Sequence, residues 1–131
     1  MSPHASKNLL LIVARELASL VATPVFIVDA EGTLIFFNES AEEVLGLRYS
    51  EAGELSVEKW ATMWAPQDSE GAALDASELP LVQALSSRRP IHRPFAITTG
   101  NGKKLEIEVT AFPLFARADH LVGGVAIFWV T

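Results

Sequence analysis

The sequence predicts an α+β domain built on an antiparallel five-stranded sheet. Three observations carry this expectation. The elements run in the order helix, two strands, several short helices, three strands. Leu105, Ile107, Val109 and Ala111 alternate with Glu106, Glu108 and Thr110, which marks a strand with one buried and one wet face. The Asn101-Gly102 step between two such runs is the strongest short-range hairpin signal a sequence offers.

Taken from the N-terminus, Ser6 to Ala22 place Leu10, Val13, Leu17, Leu20 and Val21 at helical spacing, and Thr23-Pro24 ends the helix. Leu9, Leu11 and Ile12 widen the apolar stripe beyond one face, so this helix wants two packing partners or a second copy of itself. PVFIVD and TLIFF are strands joined by a glycine turn at Ala30-Glu31-Gly32. Asn38 and the Ser40-Ala41-Glu42-Glu43 box are competing caps for a helix that stops at Gly46. The acids of this stretch, Asp29, Glu31, Glu39, Glu42 and Glu43, sit where turns and helix starts favour negative or short polar side chains.

The pattern weakens from Arg48 to Ala76, apart from VEKWATMW with Trp60 and Trp64 one helical turn apart. Asp75-Ala76-Ser77-Glu78 is a capping box in front of ELPLVQALSS, a short helix with Leu81, Val82 and Leu85 as its apolar positions. RPFAITT, KKLEIEVTAF and LVGGVAIFWVT are the remaining strands. The first and last strands are apolar on both sides and must be covered twice. Helices over one face of the sheet, and the N-terminal helix over part of the other, satisfy this. A homodimer packed through that helix completes the burial.

Composition narrows the function. Sixteen acids against ten bases give a net charge of -6, which argues against a nucleic acid partner. The absence of cysteine removes disulfides, thiolate metal sites and cysteine nucleophiles, and fits a cytoplasmic chain. LLLIVA is too short to insert in a membrane and lacks the flanks of a signal peptide.

PVFIVDAEGTLIFFNESAEEVLGL, ELPLVQAL, TTGNGKKLEIEVTAFPL and LVGGVAIFWVT, in that order and spacing, resemble a PAS domain, the sensory module of bacterial signalling proteins. The resemblance covers about Leu17 to Thr131. It implies strand order 2-1-5-4-3, short helices enclosing a pocket on one face, and an N-terminal flanking helix for dimerisation. The expected division is residues 1–22 as that helix and 23–131 as the sensor. Dimer contacts are expected at Leu10, Val13, Leu17, Leu20, Val21 and Trp129. Family members commonly end the last strand with an aspartate, an aliphatic residue and threonine. Here Trp129-Val130-Thr131 keeps the threonine and replaces the aspartate, which implies that Trp129 packs against a partner or neighbouring helix.

The expected pocket is apolar, with Phe26, Val28, Phe95, Ile97, Ile107, Val109 and Ile127 from the sheet and Trp60, Trp64 and Leu85 from the helices. These residues serve either as a filled core or as the wall of a cavity for a small apolar ligand, with a tryptophan nitrogen as its polar handle. Flavin-binding members carry a reactive cysteine and amide side chains where this chain has Ile97, Ile107 and Ile127. Haem-binding members carry a histidine on the helix before the third strand, where ELPLVQALSS has none; His92 follows that helix, His4 is in the tail and His120 in a turn. Arg88, Arg89 and Arg93 flank the third strand, which argues against a charged ligand.

No carboxylate falls on an assigned inward position, so the expectation is a non-enzymatic sensor, with no metal and no catalytic residues. It would regulate an output domain such as a histidine kinase in a longer parent chain. The alternatives are a ligand-free PAS interaction module and a small cone-shaped isomerase or hydratase.

Overall fold

The computed structural model describes the backbone of residues 3–131 and side chains from Leu9 onward. Helix α1 spans Pro3–Ala18, strands β1 and β2 span Val25–Asp29 and Leu34–Phe37, and three short helices follow: α2 (Glu39–Leu45), α3 (Tyr49–Ala52) and α4 (Val57–Met63). A 3-10 turn at Ala76–Glu78 leads into α5 (Pro80–Ser87), and the chain closes with β3 (Ile91–Thr98), β4 (Lys104–Arg117) and β5 (His120–Val130). The strands form one sheet in the order β2-β1-β5-β4-β3, each pair antiparallel. This is the order that the resemblance implied.

The turns follow from local chemistry. Asp29 Oδ1 accepts from the amides of Glu31 and Thr33 at 2.9 and 3.0 Å, and Gly32 takes the left-handed φ of 86° that the β1–β2 turn needs. The capping box is present, with Asp75 accepting from Ser77 and Glu78 accepting from the Asp75 amide, but it heads the 3-10 turn. Leu79, extended, separates that turn from α5, and Pro80 fills the first turn of α5, where a missing N–H costs nothing. Tyr49–Ala52 forms a turn of helix in the stretch where the sequence shows no period.

Asn38 settles the competition between caps. Its Oδ1 accepts from the amides of Ala41 and Val25 at 3.0 Å each, while its Nδ2 donates to the carbonyls of Ala18 and Thr23 at 2.9 Å each. One buried side chain thereby caps α2, holds the start of β1 and takes the terminal carbonyl of α1. That last bond explains why α1 stops at Ala18 instead of continuing to Ala22 as its pattern predicted. Ser40 donates to the carbonyl of Ala22 instead of capping α2.

Two apolar layers sandwich the sheet. On one face the short helices cover Phe26, Val28, Phe37, Ile97, Ile107, Val109, Ala126 and Phe128. On the other, α1 sets Leu11, Ala14 and Ala18 against Val25, Ile27, Phe112, Val125 and Ile127. β5 passes between both layers at Gly123-Gly124. A Cβ on Gly123 would lie 3.0 Å from Leu11 of α1 and 2.3 Å from the Val28 carbonyl, and one on Gly124 would lie 3.0 Å from Leu81 of α5. Gly123 is required by the Val28 carbonyl of β1, whereas at Gly124 only the leucine side chains of α5 crowd the strand.

The sequence stripe therefore faces mostly away from the sheet. Leu10 is half-buried, whereas Val13, Leu17, Leu20 and Val21 are exposed, Leu17 by 61% and Leu20 by 82%. The face against the sheet is carried by Leu11 and two alanines, whose small side chains allow close approach and which a hydrophobic count underrates.

Candidate functional site

Between the sheet and the short helices lies a cavity of about 80 Å³. β1 contributes Phe26; β3 contributes Phe95 and Ile97; β4 contributes Ile107 and Val109; β5 contributes Ala126 and Phe128. The roof is Trp60 and Ala61 of α4 with Trp64 at its C-terminal cap, Leu45 of α2, and Leu79, Pro80 and Leu81 at the start of α5. Every lining residue is aliphatic, aromatic or proline. Phe26 stands edge-on to both indoles, with ring centroids 5.3 Å from Trp60 and 6.1 Å from Trp64.

Two anchors hold the roof down. Trp60 Nε1 donates to the carbonyl of Gly32 at 2.7 Å, tying α4 to the β1–β2 turn. The Thr98 amide donates to the Trp64 carbonyl at 2.7 Å, and Gln67 and Ala96 exchange backbone bonds at 2.9 Å, tying the end of α4 to the free edge of β3. The Trp60 nitrogen is therefore spent on the protein itself and is no polar handle for a ligand.

A sequence profile described as PAS domain matches residues 22–129. The chain belongs to the PAS domain family. Solved PAS structures share its fold. The PAS domain of BvgS from Bordetella pertussis superposes with a TM-score of 0.62 at 13% identity, over 93% of this chain and 85% of that one. The PAS domain of nitrogen regulation protein NR(II) from Vibrio parahaemolyticus gives 0.62 at 18%, over 91% and 98%. The LOV protein of Rhodobacter sphaeroides gives 0.70 at 12%, over 92% and 66%. No curated protein sequence matches the chain.

Seven of the residues expected at the PAS pocket line the cavity: Phe26, Trp60, Trp64, Phe95, Ile97, Ile107 and Val109. Three do not. Val28 belongs to the same apolar layer but is fully buried beside the cavity, and Leu85 packs against that layer from one turn farther along α5. Ile127 is on the opposite face: it pairs with Val25 and packs under α1, while its neighbours Ala126 and Phe128 face the cavity. Side chains alternate along a strand, so a shift of one residue exchanges the faces. VAIFWV is apolar at every position and carries no alternation from which to read its phase. Of the residues missed on the roof, Ala61 and Leu81 lie within helices, and Leu45, Pro66, Leu79 and Pro80 come from helix ends and loops that have no such signal.

His92 is a surface residue just beyond α5. It lies within β3, on the face away from the cavity, with ring nitrogens 2.8 Å from Thr110 Oγ1 and 3.0 Å from Glu108 Oε1. His120 begins β5 opposite Arg117, and the side chain of His4 lies outside the described residues. Arg93 shares the cavity face of β3 but does not line the cavity; it donates to the Glu78 carbonyl at 3.1 Å. Trp129 is 40% exposed on the outer face, where it flanks His92 at 6.0 Å between ring centroids.

Proposed function

We propose that the chain is a sensory domain that takes a small, neutral, apolar molecule between its sheet and its short helices. Its state would pass through the sheet to a homodimer formed by α1, and so to an output domain such as a histidine kinase. The observation that carries this reading is the cavity of about 80 Å³ with a wholly apolar wall. Water entering it would find no side-chain partners, whereas an apolar guest would gain contacts. Flavin and haem do not fit this wall. Ile97 and Ile107 offer no hydrogen bond to a flavin edge, and among the described residues no histidine lines the cavity. The family, and the two-component sensor histidine kinase whose PAS structure this chain resembles, support a signalling role.

A ligand-free interaction module is the second reading, and one observation favours it. The cavity is about half the size of an engineered void of ~150 Å³ that holds benzene. Native mass spectrometry of freshly purified protein, followed by thermal unfolding with and without benzene or indole, separates the two. The sensor reading expects a retained adduct or a rise in Tm of several degrees at saturating probe. A bare chain mass with an unmoved Tm leaves the interaction module.

A further inference from the structure

The outer face of the sheet carries a polar cluster that the cavity does not use. His92 on β3 pairs in register with Thr110 on β4, and Glu108, two residues along β4, pairs with Trp129 on β5. The four side chains therefore share one patch across three strands. Among the described residues, His92–Glu108 is the only salt bridge, and it exists as an ion pair only when the imidazole is protonated.

We propose that His92 is a proton-operated clamp on Trp129. With the ring neutral, one nitrogen accepts from the Thr110 hydroxyl while the other donates to Glu108, so both contacts hold without net charge. A proton taken from solvent makes both nitrogens donors: Nδ1–H to Thr110 Oγ1 and Nε2–H to Glu108 Oε1. The second contact becomes a charge-assisted bond, and the ring, tilted 33° to Trp129, becomes a cation beside an indole. The geometry serves both states, but the hold on Trp129 tightens on protonation.

Few other charges compete for the ring. Glu106 is the next acid along the same face of β4, and exposed; Arg93, on β3, points to the other face, where it binds Glu78; Arg117 and His120 lie at the far end of the β4–β5 hairpin. α1 covers the other half of the sheet, where its Arg15 sits 4.8 Å over the Phe36 ring. The patch would therefore present a held Trp129 when the ring carries its second proton and a looser one when it does not.

The test reads Trp129 directly. The indole N–H signals of Trp60 and Trp64, on the other face, are internal references. At about pH 5.5 the heteronuclear NOE of the Trp129 indole should approach theirs, and at about pH 7.5 it should fall clearly below them. His92→Gln should abolish the difference and Glu108→Gln should reduce it. The proposal is overturned if Trp129 gives the same NOE at both pH values. It is equally overturned if the change persists in His92→Gln or keeps its full size in Glu108→Gln.

Discussion

Tyr49, the one tyrosine of the chain, shows how a single side chain records its surroundings. It stands edge-on to Phe36 and Phe37, with centroids 5.6 and 5.5 Å away, and the Arg15 guanidinium of α1 lies 5.8 Å over its ring. Burial raises its pKa above the ordinary 10.0, the charge of Glu54 adds to the rise, and Arg15 opposes it. The phenol is the form the folded protein prefers. Its contribution to stability is therefore present below pH 10 and is lost as the pH climbs through the higher folded value. A near-ultraviolet titration of the native protein should show phenolate appearing at a midpoint above that of the unfolded chain. Glu54→Gln should bring the midpoint down. Nothing in the local sequence predicts this environment, because Tyr49 falls in the stretch without periodicity and its neighbours come from α1 and β2.

Among the secondary elements, Asn38 is the joint with the greatest consequence. Its amide group meets the end of α1, the start of β1 and the start of α2, so no one of these can shift without the others. Asn38→Ala should cost about 3 kcal/mol, since it strands buried backbone groups and removes a cap at the same time. A lower urea midpoint with an unchanged slope would measure this; a loss under about 0.5 kcal/mol would show that water replaces the amide. The sequence offered Asn38 as a cap, but only local cap geometry is legible in a sequence. Its reach back to Ala18, twenty positions away, belongs to the tertiary fold. Strand phase obeys the same limit. β4 could be read because glutamates mark its wet face, whereas β5, buried on both sides, concealed which way Ile127 points.

For the whole molecule, the element order and the sheet were legible because turns, caps and alternation agree along the chain. The roof of the cavity was legible only in part, because loops and helix ends leave no periodic trace. The α1 helix extends this to assembly. Its inner face is filled by Leu11, Ala14 and Ala18, and its outer face leaves Leu9, Ile12, Val13 and Leu17 in solvent. If the proposed homodimer covers that outer face, Leu17→Glu should yield a monomer by light scattering with an unaltered circular dichroism spectrum. An unchanged dimer mass would place the interface elsewhere. Gly123-Gly124 bears on how such a protein can diverge. Most of its surface, and much of its core, can exchange one side chain for another of similar bulk. At Gly123 there is no room for a larger residue against the Val28 carbonyl, and at Gly124 a larger one must push the leucine side chains of α5 aside. A relative that has lost Gly123 must have parted β1 from β5, so that one letter marks which relatives keep this strand pairing.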